Sequence, residues 1–273
     1  MKKNILLSLS FSILLMVSCS KKNDYGQPNV DSKNIQKDFM KWWTYHNDNI
    51  ILSSDFIAID NDSKMITKES FLKNLTSGDY IPLKLISKNA NTYYQLFNLK
   101  KNANKDIGNT IKNTAIVSYK HYEMEGKNFP KFQFTDLNGV VYNNENTKGK
   151  IIILKCWFIA CKACVAEFPE LNELVEKYKD REDIVFISLA YDSDDELKQF
   201  LLRKPFSYKV ASVPQEFMEN ELSINAYPTH FIIDETGTIK KVVNSANELI
   251  FELDASGILY INTTQLIPPP PAF

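Results

Sequence analysis

The hydrophobic pattern is sharpest in the second half of the chain. Ile151-Ile152-Ile153-Leu154 is an unbroken apolar run of the kind presented by a central strand covered on both faces. Beyond it, Phe168, Leu171, Leu174, Val175 and Tyr178 recur at spacings of three and four, which predicts an amphipathic helix. Ile184 to Leu189 reads as a second buried strand, and Ser193-x-x-Glu196 as a capping box that opens a helix running to about Arg203. Phe231 to Ile233 and Ile239 to Val243 flank the turn Asp234-Glu235-Thr236-Gly237 and predict a hairpin, with a short closing helix from about Ala246. Upstream, Phe132 to Thr135 and Val140 to Tyr142 flank Asn138-Gly139, the strongest short-range hairpin signal. The order is ββ followed by βαβαββ, an alternation that calls for an α/β fold with helices on both faces of a sheet.

The first half is aromatic-rich and less periodic. Residues 39–125 predict a small mixed α/β domain, with strands at Asp55 to Asp60 and Asn91 to Leu99 and helices at Lys68 to Leu75 and Asp106 to Glu123. The pair Trp42-Trp43 suits a domain core better than a ligand groove, because large aromatics at a domain's start chiefly fill its interior. A second domain is expected over 126–255, and 256–273, with Pro268 to Pro271, reads as a tail that can continue neither a helix nor a ladder.

Charge narrows the function classes only by exclusion. A net charge of -1 from 32 basic and 33 acidic residues leaves no footprint for nucleic acid. The 8 glycines are too far apart for a dinucleotide fingerprint or a phosphate loop. Lys2 and Lys3 precede the apolar stretch Ile5 to Val17, shorter than the roughly 20 residues a bilayer crossing needs, so residues 1–18 read as an export signal. Met16-Val17-Ser18-Cys19 resembles the lipobox of bacterial lipoproteins, which implies cleavage before Cys19, its lipidation, and a lipid anchor to a membrane. Residues 19–38 then form a polar tether. The place of action is expected to be the cell envelope, on a periplasm-facing surface, where oxidising conditions let close cysteines cycle through a disulfide.

Three of the 4 cysteines stand in Cys156-Trp157-Phe158-Ile159-Ala160-Cys161-Lys162-Ala163-Cys164, where a strand hands over to a helix. Cys161 falls at the helix N-terminus, where free N–H groups and the macrodipole favour a thiolate. Cys164, one turn on, is placed to resolve a mixed disulfide formed at Cys161. Lys162 either lowers the Cys161 pKa further or is simply solvated. Zinc is the rival, but a structural site needs four ligands and only His46, His121 and His230 are on offer, with neither H-x-x-H nor a second C-x-x-C. A purely structural disulfide that closes so short a loop would constrain the unfolded chain little. Cys156, on the strand, reads as a small buried hydrophobe, with a regulatory thiol as the alternative.

The segment Lys148 to Asn172, with Phe129 to Gly139 before it and Ile224 to Val243 after it, resembles the membrane-anchored thiol-disulfide oxidoreductases of the TlpA and ResA type. The resemblance implies a thioredoxin-like fold: a central mixed sheet flanked by helices, with an N-terminal β-hairpin extension, here preceded by the small mixed domain. It also implies site roles. Cys161 and Cys164 take the nucleophilic and resolving positions, Trp157 the strand-end tryptophan, Pro228 the cis proline facing the disulfide, with Tyr227 and Thr229 beside it along the substrate path, and Glu167 the acid near the cysteines. Glu167 is then suited to exchange a proton with Cys164, or is an exposed first-turn glutamate favoured by the helix dipole. Three residues depart from the pattern: Ala160 and Ala163 replace a tryptophan and a proline, and Lys155 stands where an acid or asparagine is usual. A buried lysine needs a partner, so Lys155 is expected to reach Glu167. His230 is expected to be a hydrogen-bonded core residue.

The leading expectation is a reductase of protein disulfides that uses its own cysteine pair and no further cofactor, is fed by a membrane electron donor, is monomeric, and acts on protein thiol or disulfide partners without nucleic acid. Two alternatives come from other classes. One is an envelope binding lipoprotein in which the redox module is auxiliary. The other is a thiol peroxidase, which the entry Phe129-Pro130-x-Phe132 shares, but Phe158 stands where those enzymes carry a threonine that orients the peroxide.

Overall fold

The computed structural model describes residues 25–87 and 89–255. The export signal, Cys19 and the proline-rich tail lie outside them. No helix among the described residues is long and apolar enough to cross a membrane.

The first domain runs β1 (Gln27–Pro28), α1 (Ser32–Ile35), α2 (Phe39–Asn49), β2 (Ile57–Ile59), β3 (Met65–Ile66), α3 (Lys68–Leu75), β4 (Tyr80–Ile86), β5 (Tyr93–Asn98) and α4 (Lys105–Met124), with sheet order β1-β4-β5-β2-β3. Trp42 fills the core with Phe71, Leu72, Ile107 and Ile111, all fully buried, and Trp43 packs against it half-buried. The expected tether gives way at residue 27: Gln27 and Pro28 pair with Ile86 and Leu85, and Ile35 is buried. A two-residue edge strand needs only a free sheet edge and leaves no periodic trace. β4 was hidden by Pro82, which argues against a strand. Since β1 reaches only Leu85 and Ile86, β4 is an edge at Pro82, where a missing N–H is tolerated.

The second domain begins with the hairpin β6 (Gln133–Thr135) and β7 (Val141–Asn143), followed by β8 (Ile151–Trp157), α5 (Lys162–Ala166), α6 (Phe168–Lys177), β9 (Ile184–Ala190), α7 (Asp194–Leu201), β10 (Lys209–Ser212), β11 (Thr229–Ile233), β12 (Ile239–Val243) and α8 (Ala246–Ala255). The sheet order is β10-β9-β8-β11-β12, with β9 parallel and β11 antiparallel to β8. This is the central mixed sheet with a hairpin extension expected of a thioredoxin-like fold. β10 escaped the sequence pattern because only Val210 and Ala211 of its four residues are buried apolar positions.

Alternation along β8 sends its residues to opposite faces. Ile151 and Ile153 pack with Leu171 and Leu174 of α6 and Leu249 of α8. Ile152, Leu154 and Cys156 pack with Phe134 of the hairpin and with Met218 in the wide helical turn Phe217–Glu221. The helical cover is therefore unequal, with the long helices gathered on the first of these faces. Lys155 and Trp157 share that face by parity.

The domains meet where α4 runs into β12 and α8. Gly126 donates to the Ile239 carbonyl at 2.8 Å. Lys241 on β12 donates to the Ser53 carbonyl and to Asp55 Oδ1, each at 3.0 Å, with Glu125 and Glu252 at 3.8 Å. Lys68 donates to the carbonyls of Ser53 and Ser54, both at 2.8 Å.

Candidate active site

β8 ends at Trp157, and the chain turns through Phe158 to Ala160 before entering α5. The turn is fixed by Ile159 N–H donating to Asp192 Oδ2 at 2.8 Å and Cys161 N–H to the Phe158 carbonyl at 3.0 Å. Cys161 is the N-cap of α5, and its Sγ accepts the Cys164 N–H at 3.2 Å. The two cysteines are joined as a disulfide. Cys161 keeps 8% exposure and Cys164 none, so an attacking sulfur can approach only the first. A cavity of about 590 Å³ opens beside α5, lined by Ile159, Lys162, Val165, Phe168 and Phe200 among others.

Trp157 is fully buried, donates Nε1–H to Ser188 Oγ at 3.2 Å, and packs edge-on against Phe168 with ring centroids 4.9 Å apart. It stands at the strand end, as the resemblance implied, but it forms a wall behind the cysteines and, being fully buried, acts on the site through packing, not as a catalytic group.

Glu167 sits where α5 ends and α6 begins, with Pro169 in the first turn of α6. The break between the two helices turns its carboxylate inward. Lys155 and His230 are register partners on adjacent antiparallel strands, both fully buried. Lys155 Nζ is ion-paired with Glu167 Oε2, as its buried position demanded. His230 Nε2 lies 3.1 Å from the same oxygen. Oε1 accepts the N–H of Ala246, the first residue of α8, at 2.9 Å. Burial opposes ionisation of Glu167, but its hydrogen bonds and charge contacts with His230 and Lys155 prevail and hold it below the ordinary carboxylate value. Burial, reinforced by the Lys155 charge, drives His230 down to about 4 against the pull of Glu167. His230 is therefore neutral at pH 7, and a carboxylate at Nε2 selects the tautomer that donates from that nitrogen. Burial likewise lowers Lys155, against the pull of Glu167.

The Tyr227–Pro228 peptide is cis. Tyr227 is half-buried and closes an aromatic group beside the motif, with ring centroids 5.3 Å from Phe158 and 6.0 Å from Tyr191. Pro228 is buried. Thr229 is fully buried and donates its hydroxyl to the Ala226 carbonyl at 2.8 Å, so its side chain does not line a substrate path, contrary to expectation. Cys156 is a free buried thiol on the opposite sheet face, and burial pushes its pKa well above the ordinary thiol range. Among the described residues no three His, Cys, Asp or Glu side chains come together as metal ligands.

Sequence reasoning missed Asp192, Ala246 and the part His230 plays. The β8–β11 register that brings His230 to Lys155 is the one signal that finds it, and register between strands so far apart in sequence is not readable from either alone. Glu167→Ala is expected to cost about 3–5 kcal/mol, because it strands a buried lysine. The double change Lys155→Met with Glu167→Gln should recover much of that loss. Urea denaturation of the wild type and these two variants checks both statements, and equal losses in the single and double variants would refute the coupling.

The AhpC/TSA family matches residues 126–242. The thiol-disulfide oxidoreductase ResA of Bacillus thuringiensis subsp. konkukian is 32% identical over 121 residues, 44% of this chain and 70% of that protein. The ResA of Geobacillus kaustophilus is 28% identical over 137 residues, 50% of this chain and 78% of that protein. With the ResA of Bacillus thuringiensis strain Al Hakam the match is 32% over 114 residues, 42% of this chain and 66% of that protein. The chain thus spans about two thirds of the length of these Bacillus relatives. Among solved structures, the thioredoxin domain of a thiol-disulfide oxidoreductase from Bacteroides vulgatus matches with 19% identity over 48% of this chain and 95% of that one, with a TM-score of 0.44.

Proposed function

Because this chain belongs to the thiol-disulfide oxidoreductases of the ResA type, we propose that it is an extracytoplasmic reductase of protein disulfides acting through Cys161 and Cys164. The observation that carries this reading is the asymmetry of the pair: Cys161 is capped at its sulfur by an N–H and keeps a small exposed surface, and Cys164 is fully closed off one turn behind it. In the reduced protein the Cys161 thiolate attacks one sulfur of a substrate disulfide. A bond forms between Cys161 and that sulfur, and the other leaves as a thiolate. Cys164, once deprotonated, attacks Cys161 Sγ, releases the second substrate thiol and closes the internal disulfide. Two electrons have then passed to the substrate, and an external dithiol or membrane donor restores them.

The expected setting is the cell envelope, with the chain lipid-anchored through Cys19, monomeric, and drawing on no group beyond its cysteines. Direction of exchange is set by the reduction potential, where 30 mV against a partner is worth about 1.4 kcal/mol. Equilibration in dithiothreitol or glutathione buffers, with trapping of free thiols, should return about -250 mV or lower. A value near about -120 mV would instead mark an oxidant of exported proteins.

A further inference from the structure

Glu167 spends one oxygen on Lys155 and His230 and the other on the backbone of α8. The second contact leads out of the site. Ala246 opens α8, where N–H groups have no intrahelical partner, so its N–H is free to donate to the carboxylate and the helix dipole reinforces the bond. The turn is closed by Ser245, whose Oγ accepts the Glu248 N–H at 3.2 Å and whose carbonyl accepts the Leu249 N–H at 3.0 Å. The Glu248 carboxylate in that same turn reaches the first domain, where its Oε2 accepts the Ser53 hydroxyl at 2.8 Å. Ser53 is itself pinned, since its carbonyl takes hydrogen bonds from both Lys68 and Lys241.

Resting on the exchange reading above, we infer that the first domain regulates the redox site by holding the Glu167 carboxylate in place through α8, with Ser53 and Glu248 as positioning residues. The link is short: Ser53 to Glu248, two residues along one helical turn to Ala246, and Ala246 to Glu167. A shift of the segment around Ser53 moves the first turn of α8 and withdraws the N–H from Glu167. Partners of the first domain that displace this segment thereby change the proton chemistry next to the cysteines.

The consequence has a sign. Losing an N–H donor disfavours the ionised carboxylate, so the limb of the pH profile that depends on Glu167 moves to higher pH. The other charged or titratable groups facing Glu167 are Lys155 on β8, His230 on β11, Glu170 on α6, Tyr208 ahead of β10 and Glu248 on α8. Ser53→Ala keeps all five side chains and removes only the hydroxyl bond that holds Glu248 down, which makes it the cleaner probe; neutralising Glu248 outright would remove a like charge and push the other way.

The test uses the full chain and follows the rate at which the reduced protein reduces oxidised glutathione between pH 4 and 8. Glu167→Gln identifies the Glu167 limb by removing it. Ala246→Pro deletes the one N–H at a helix position that accepts proline, and should raise the limb by about one pH unit. Ser53→Ala should raise it in the same direction by a smaller amount, and Ser53→Thr, which keeps the hydroxyl, should return it to the wild-type position. A Ser53→Ala profile that superimposes on wild type overturns the inference, whatever Ala246→Pro does, and so does a profile that Glu167→Gln leaves unchanged. A wild-type protein that performs no exchange at any pH removes the functional reading itself, and this one with it.

Discussion

Cys161→Ser should abolish disulfide exchange, whereas Cys164→Ser should preserve the first attack and stop after it. Serine at position 161 keeps the N-cap hydrogen bond to the Cys164 N–H but offers no sulfur at the one position of the pair that keeps any accessible surface. With serine at 164 the mixed disulfide at Cys161 has lost its neighbour, and resolution falls to attack by outside thiols. Attack within one helical turn has the advantage of high effective concentration, so turnover should fall by more than about a hundredfold while a covalent adduct with the substrate accumulates. Mass spectrometry of the protein after mixing with a disulfide peptide reads the adduct directly. Cys156→Ser should leave exchange intact, because that thiol lies on the other face of the sheet and burial holds it protonated. Retained exchange in Cys161→Ser, lost on adding Cys156→Ser, would assign the nucleophile to the strand cysteine and end the present reading.

The amino-acid pattern reveals the elements that bury a continuous face and misses those fixed by pairing alone. The run Ile151 to Leu154 and the repeat Phe168 to Tyr178 are legible because each carries its own period. β1 and β10 are short edge strands whose order comes from the neighbour they hydrogen-bond. The same division runs through the site. Cys161, Cys164 and the pairing of Lys155 with Glu167 can be read locally, since a buried cation calls for a partner and the acid lies one helix start away. His230 and Ala246 join the carboxylate through strand register and helix docking, from positions 63 and 79 residues later. The link from Ser53 to Glu248 spans 195 residues and has no sequence signature at all.

Acidification from pH 7 to 4.5 should destabilise the protein. His46, His121 and His230 are each driven to about 4, in every case first by burial, aided by Lys120 at His121 and by Lys155 at His230. In the unfolded chain all three titrate near about 6.5. Between those values the unfolded chain takes up protons that the fold refuses, so stability falls as pH drops through about 6.5, and the loss is complete near 4. One pH unit is worth about 1.36 kcal/mol, so by pH 4.5 each histidine forfeits less than about 3 kcal/mol and the three together about 8 kcal/mol, against a typical total of about 5–15 kcal/mol. Two groups of carboxylates modify this. Glu125, Glu248 and Glu252 are raised by burial at the domain junction, so the fold binds their protons first and regains some stability as pH falls. Glu167 is held low, so its contribution is present above the ordinary carboxylate value and is lost only as pH falls through its lowered folded value. Three protons against this offset leave a net loss. Two of the three histidines lie in the first domain, which should therefore melt first. Guanidinium midpoints measured at intervals between pH 7.5 and 4.5 should decline most steeply from about 6.5 downward. His121→Gln should flatten that slope by about one proton. A midpoint indifferent to pH across this window would mean that the buried imidazoles are protonated in the fold, and that His230 holds Glu167 as a cation.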